Sequence, residues 1–193
     1  MDLIDISMVI STEMSTYKGI TARKPIIEVT STIEHGSNES RLSFLSHTGT
    51  HVDAPWHYGS KTKNEKALTV DQIPLEELYL DGVVLDLTAL KGTGVAITRE
   101  HLEEALLRID YKLKKGDAVL LRTDHDLMPL TSPMRYNYPG LTADSATFLA
   151  ESGALVGGTD AMGFDRPFHV MIADYQQRGD KSRIWDAHYA MRN

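Results

Sequence analysis

The segment HTGTHVDAPWH, residues 47–57, carries three histidines and one aspartate within eleven positions. Neutral imidazole and carboxylate groups suit zinc and manganese, among other divalent ions. Gly49 allows the backbone to turn or to approach another group closely. Pro55 fixes its own φ and favours an extended conformation for the residue before it. The segment therefore predicts a rigid loop that holds several donor atoms at one point.

The spacing of these four side chains indicates two kinds of role. His47 and His51 are four positions apart, which would place them on one face of a helix, but the glycine and the proline disfavour a long helix here. In an extended chain His51 and Asp53 point to the same side, and a bend would bring His47 to meet them. His57 follows the proline, in a place suited to a general acid or base that serves a metal-bound water.

The segment matches the pattern H-x-G-T-H-x-D-x-P-x-H at every fixed position. It resembles the signature of the cyclase family of metal-dependent hydrolases, which includes bacterial kynurenine formamidases and isatin hydrolases. Residues 83–87, 120–123, 140–142 and 156–160 are similar to later family segments in the same order. The resemblance covers most of the chain. It implies an α/β protein with the swivelling β/β/α fold of the family, in which the metal lies at one end of a central sheet.

The resemblance assigns roles within the segment. It implies that His47, His51 and Asp53 are metal ligands, and that Asp53 bridges the ions where two are bound. It also implies that His57 is the catalytic proton donor and acceptor. The implied cofactor is Zn²⁺ or Mn²⁺, with one or two ions per site.

Two further residues are singled out by the resemblance. His188 is similar to a histidine ligand of the family, and the alternative is a histidine that only packs beside Trp185 and Tyr189. Tyr17 falls where formamidases place an aromatic residue against the substrate, and the alternative is a tyrosine that only covers core. The family pattern also needs a later glutamate ligand, whereas this sequence stops at Asn193, so we expect the C-terminal strands of the fold to be missing. Either the natural chain is longer, or the second metal position is incomplete.

The composition bounds the class of protein. The 193 residues have one mixed composition and are 41% hydrophobic, which predicts a single globular domain over residues 1–193. The net charge of −7 argues against a nucleic-acid or anionic-membrane partner. The chain has no cysteine, so a thiolate nucleophile, a thiolate zinc site and a disulfide framework are excluded. Because no signal peptide or membrane-spanning run is visible, we expect a cytoplasmic protein, and the resemblance implies a homodimer.

The rest of the sequence alternates between strand and helix patterns, which is typical of an α/β fold. Short runs rich in β-compatible residues predict strands at residues 3–10, 26–33, 82–88, 117–123 and 155–158. Thr98 and Thr142 can each cap a helix, and the first of these helices is predicted to end near Gly116. The proline-rich loop between residues 124 and 140 is an active-site cover, a partner contact, or a loop that only packs against its own domain.

The chemistry that this site predicts is the hydrolysis of an amide. A divalent ion lowers the pKa of bound water to about 7, and no Gly-x-Ser-x-Gly elbow offers another nucleophile. We therefore expect a metal-dependent amidohydrolase that uses metal-bound hydroxide on a small-molecule amide, similar to the kynurenine formamidase (arylformamidase) of tryptophan catabolism. One alternative is a hydrolase of a cyclic amide or lactone, similar to isatin hydrolases. The other is a non-catalytic family member that lacks the C-terminal glutamate ligand.

Overall fold

The computed structural model describes residues 2–14, 16, 23–92, 94–129 and 132–192. The strands are β1 (Ile26–Ser31), β2 (Glu39–Ser43), β3 (Lys61–Thr62), β4 (Glu65–Lys66), β5 (Gly82–Asp86), β6 (Ala96–Ile97), β7 (Asp117–Arg122), β8 (Gly140–Leu141) and β9 (Ala154–Thr159). The helices are α1 (Pro55–Tyr58), α2 (Arg99–Arg108), α3 (Ala143–Glu151), α4 (Phe168–Arg178) and α5 (Asp186–Ala190). The chain divides into two compact units, Met1–Asp53 and Ala54–Asn193. The single domain expected from composition stays a prediction.

The first unit is built on a β-hairpin. Strands β1 and β2 pair antiparallel, with Ile26 opposite Ser43, which confirms the strand predicted to begin at residue 26. The strand predicted at residues 3–10 is wrong, because these residues form no ladder with any part of the chain that the structure describes. All six of their large apolar side chains are exposed. An apolar run becomes a strand only where its backbone groups find a partner, and sequence pattern does not reveal that partner.

The second unit contains a parallel three-stranded sheet in the order β5-β7-β9. Side chains alternate along β5, so that Val83 and Leu85 are buried while Val84 between them is exposed. Leu85 joins a buried core that includes Leu102 of α2 and Leu149 of α3. These two helices connect the three strands in sequence, which confirms the predicted α/β pattern.

The helices begin where the capping residues predict, but the first of the two ends early. Helix α2 starts directly after Thr98, and α3 starts directly after Thr142. Helix α2 ends at Arg108, well before the predicted end near Gly116. Asp110 has a φ of 50°, in the left-handed region, and this conformation cannot continue a right-handed helix. Across the described residues, no helix combines the length and the apolar character that a bilayer span requires.

The described part of the loop between β7 and β8 folds on its own residues. His125 is fully buried, and its Nε2 donates to the carbonyl oxygen of Arg135 at 2.5 Å. The Arg135 guanidinium donates in turn to the carbonyl oxygens of Asp126 and Met128. The ring of Tyr138 meets His125 edge-on, with centroids 5.5 Å apart. Burial of the imidazole lowers the pKa of His125. These contacts favour the third interpretation of the loop, packing against its own unit.

Candidate functional site

The donor-rich segment forms a loop between β2 and α1. Gly49 has a φ of 68°, and a Cβ atom at this position would lie 3.2 Å from Cγ1 of Ile10. Any other side chain would therefore be both strained and crowded here. Pro55 is the first residue of α1, a helix of only four residues. His47, His51 and Asp53 lie in a loop, which confirms that prediction, whereas His57 lies on α1.

Three side chains of this loop each direct one donor atom towards a common point, and we call His47, His51 and Asp53 the donor triad. Nδ1 of His47 lies 3.2 Å from Nε2 of His51 and 2.7 Å from Oδ1 of Asp53. The third edge, from Nε2 of His51 to Oδ1 of Asp53, is 3.2 Å. Two ligands bound tetrahedrally to zinc at about 2.0–2.1 Å are about 3.3 Å apart. The triangle is close to this size, so the donor triad fits a divalent ion.

The orientation of His51 supports the same fit. Its Nδ1 lies 2.8 Å from the carbonyl oxygen of Gly49, which can only accept, so Nδ1 carries a proton. When this ring carries no second proton, its Nε2 presents a lone pair to the Asp53 carboxylate 3.2 Å away. Two facing lone pairs repel each other, and a shared proton or a bound cation between them relieves the repulsion.

His57 and His188 form a pair within the second unit. Their Nε2 atoms lie 3.3 Å apart, although 131 positions separate them in the sequence. The rings of Tyr58 and Trp185 flank His188, with centroid distances of 5.0 Å and 5.3 Å. His188 therefore packs against aromatic rings and also offers a nitrogen atom to His57.

Asp165 completes this group, although no motif in the sequence singles it out. Its carboxylate is 1% exposed and contacts Nδ1 of His188. It also accepts hydrogen bonds from the backbone N–H groups of Ala187 at 2.9 Å and of His188 at 3.3 Å. Asp165 precedes His188 by 23 positions, outside any ligand spacing, so no sequence signal connects the two. We call His57, His188 and Asp165 the histidine-pair site.

A second carboxylate lies at the same end of α5. Asp186 accepts from the backbone N–H of Ala187 at 3.2 Å and from that of Ala143 at 3.4 Å. Burial raises the pKa of Asp186, and the nearby negative charge of Asp165 raises it further. Asp186 therefore differs from Asp165 in its partners, which are backbone groups and not a histidine ring.

The predicted site residues thus fall into three groups. The donor triad is brought together in the first unit, and the histidine pair is brought together in the second. Tyr17 lies outside the described residues. The individual roles as ligand, acid/base or substrate contact stay predictions.

Comparison with known proteins identifies the family. The Cyclase family model matches residues 4–166. The chain belongs to the Cyclase family. Curated relatives named kynurenine formamidase agree with this assignment. The Bacillus anthracis protein is 30% identical over 164 residues, and the Bacillus thuringiensis (strain Al Hakam) protein is 28% identical over 163 residues. Each alignment covers 84% of this chain and 69% of the relative.

Solved structures share the fold. An isatin hydrolase bound to the product analogue thioisatinate gives a TM-score of 0.76 at 20% identity, covering 96% of this chain and 73% of that structure. Isatin hydrolase A from Ralstonia solanacearum gives 0.77 at 20% identity, covering 98% and 76%. A structure described as a potential metal-dependent hydrolase with cyclase activity gives 0.67 at 23% identity, covering 97% and 75%. The predicted fold is confirmed, and the chain stands among the cyclase-family hydrolases.

Proposed function

We propose that this chain is a metal-dependent amidohydrolase that cleaves an aryl formamide, as a kynurenine formamidase does. The donor triad carries the proposal, because its three edges of 2.7–3.2 Å match the spacing of ligands around one divalent ion. The formamide is proposed ahead of a cyclic amide because the relatives named kynurenine formamidase are 26–30% identical, against 20–22% for the isatin hydrolases.

The proposed roles follow the chemistry of each group. His47, His51 and Asp53 would hold Zn²⁺ or Mn²⁺, and a bound ion of this kind lowers the pKa of water and polarises a carbonyl. His57 would receive the proton released when water attacks the formyl carbon. It would return that proton to the aryl nitrogen as the C–N bond breaks, so that the products are formate and an aryl amine.

A substrate panel tests the proposal. Purified protein incubated with Zn²⁺ or Mn²⁺ is assayed on N-formylkynurenine, formanilide and isatin, and we expect turnover of the formyl amides. His57→Ala should lower kcat by about 10²–10⁴-fold while metal content stays unchanged, since general acid–base catalysis contributes about that much. His169→Ala removes an exposed histidine of α4 in the same unit and is the matched control.

Each other result of this panel points to a different conclusion. Turnover of isatin alone would replace the formamidase proposal with the cyclic-amide alternative. Protein that binds metal stoichiometrically and turns over none of the three compounds would support a non-catalytic family member. Metal loss in His57→Ala would show that the assignment of His57 to proton transfer is wrong. The cytoplasmic location and the homodimer stay predictions, and sedimentation analysis of the purified chain tests the dimer.

A further inference from the structure

We infer that Asp165 is a positioning residue that fixes His188 as the tautomer protonated at Nδ1 and thereby directs its Nε2 lone pair towards His57. For a neutral His188 ring, the tautomer follows from the contacts. Only the use of that lone pair in hydrolysis or metal binding rests on the proposed function.

The assignment follows from counting donors and acceptors. An ionised carboxylate has no proton to give, so the contact between Asp165 and Nδ1 of His188 requires Nδ1 to be the donor. A neutral imidazole carries one ring proton, which leaves Nε2 of His188 as an acceptor. The contact of 3.3 Å between the two Nε2 atoms then needs a donor, and His57 is the only group in that contact with a proton to supply. With a neutral His188, His57 is therefore the ring protonated at Nε2.

The surroundings hold Asp165 in this role. Its side chain is 1% exposed, so the carboxylate cannot turn away into water. The N–H groups of Ala187 and His188 bind the same carboxylate, and its backbone forms a bridge with Leu141 of β8. The flanking rings of Tyr58 and Trp185 pack against the imidazole and oppose its rotation. Both partners of the contact, the Asp165 carboxylate and the His188 ring, are thus held in place.

The tautomer matters because His188 needs a lone pair at Nε2 to accept a hydrogen bond from His57, and also to act as the metal ligand that the family resemblance implies. A ring protonated at Nε2 could neither accept a hydrogen bond from His57 nor bind a divalent ion through that atom. A carboxylate on the far nitrogen of a histidine is a common way for proteins to set this choice. Asp165 does so from the interior, through the Nδ1 side of the His188 ring.

Asp165→Asn is the informative variant because it keeps the size of the side chain and changes one acceptor into a donor. The amide oxygen should take the place of Oδ1, which accepts the 2.9 Å bond from Ala187, because the opposite orientation would set two donors against each other at this shorter distance. In the orientation that we expect, the amide nitrogen meets a backbone donor, the N–H of His188, only at 3.3 Å. The amide nitrogen would then face Nδ1 of His188 and donate to it. We expect His188 to become protonated at Nε2 and to lose its hydrogen bond with His57.

The experiment is ¹⁵N NMR of the histidine side chains in the metal-free full chain, with His188 assigned from the signals lost in His188→Gln. Wild type should show His188 protonated at Nδ1, and Asp165→Asn should show it protonated at Nε2. Asp186→Asn removes the neighbouring carboxylate, whose partners are backbone N–H groups, and should leave the wild-type tautomer in place. If Asp165 had only a structural role, its substitution would not move the ring proton of His188 from Nδ1 to Nε2.

Two results would overturn the inference. One is a wild-type His188 protonated at Nε2. The other is a folded Asp165→Asn protein whose His188 keeps the wild-type tautomer. If Asp165→Asn does not fold, the wild-type spectrum alone decides between the two tautomers. A chain that shows the expected tautomers and hydrolyses no amide would refute the proposed function while leaving this inference standing.

Discussion

Zinc affinity should depend on each member of the donor triad, and His51→Ala is the sharpest test of that dependence. Zinc sites with four protein ligands provide about 10–16 kcal/mol of binding free energy, or roughly 2.5–4 kcal/mol per ligand. Since 1.4 kcal/mol corresponds to about tenfold in affinity, removing one ligand should weaken zinc binding by about 10²–10³-fold. The triad supplies three such ligands within one loop, so two would remain in His51→Ala.

The structure indicates that this substitution acts on the ion more than on the fold. The His51 side chain is about one-third exposed at 32%, and water can replace its hydrogen bond to the Gly49 carbonyl. The assay is competition for zinc against a chromophoric chelator, with thermal melting as a second readout. Zinc at 100 times its Kd should stabilise the wild type by about 2.7 kcal/mol. The matched control is His35→Ala, an exposed histidine in the same unit.

Zinc binding by the donor triad is refuted if His51→Ala binds zinc within about threefold of wild type, a difference too small for a lost ligand. It is also refuted if His35→Ala loses as much affinity as His51→Ala, because zinc would then be bound by exposed histidines in general. A melting temperature that rises equally with zinc in wild type and His51→Ala would lead to the same conclusion.

Three further predictions concern stability. Leu102→Ala should lower the free energy of unfolding in urea by about 2–5 kcal/mol, because Leu102 is 0% exposed. Leu107→Ala on the same helix should lower it by under about 1 kcal/mol, because Leu107 is 80% exposed. Equal losses would contradict the placement of Leu102 in the core. Because burial lowers the pKa of His125 below 6.5, the unfolded chain binds a proton at this imidazole at a higher pH than the folded chain does. Stability should then fall as the pH drops below 6.5, by at most about 1.4 kcal/mol per pH unit, and His125→Gln should flatten this slope. Gly153→Ala should lower the melting temperature more than Gly116→Ala does, although both residues have a positive φ. A Cβ atom at position 153 would lie 2.8 Å from a backbone nitrogen, whereas a Cβ atom at position 116 would have no neighbour within 4 Å.

The parts of the site that sequence could predict are those that depend on local spacing. His47, His51 and Asp53 lie within one short loop, and the glycine and proline between and after them limit how that loop can bend. Helix starts at Thr98 and Thr142 were predictable for the same reason, since a cap acts on the next three residues.

The features that the sequence did not predict depend on partners distant in sequence or on single dihedral angles. Residues 3–10 have the composition of a strand but pair with none of the described chain. Helix α2 ends because Asp110 turns left-handed, which an aspartate does only sometimes. Asp165 contacts His188 through the packing of the second unit, and the local sequence around either residue does not predict this contact.

The donor triad and the histidine pair also differ in the order in which a growing chain can assemble them. His47 and Asp53 are six positions apart, whereas His57 and His188 are separated by 131. The entropy of closing a flexible loop grows with the logarithm of its length, so the second closure costs about 3 kcal/mol more than the first. During synthesis the triad is complete once residue 53 has emerged, long before His188 is translated. An ion supplied at that stage would find its three ligands before His188, the partner of His57, has been translated.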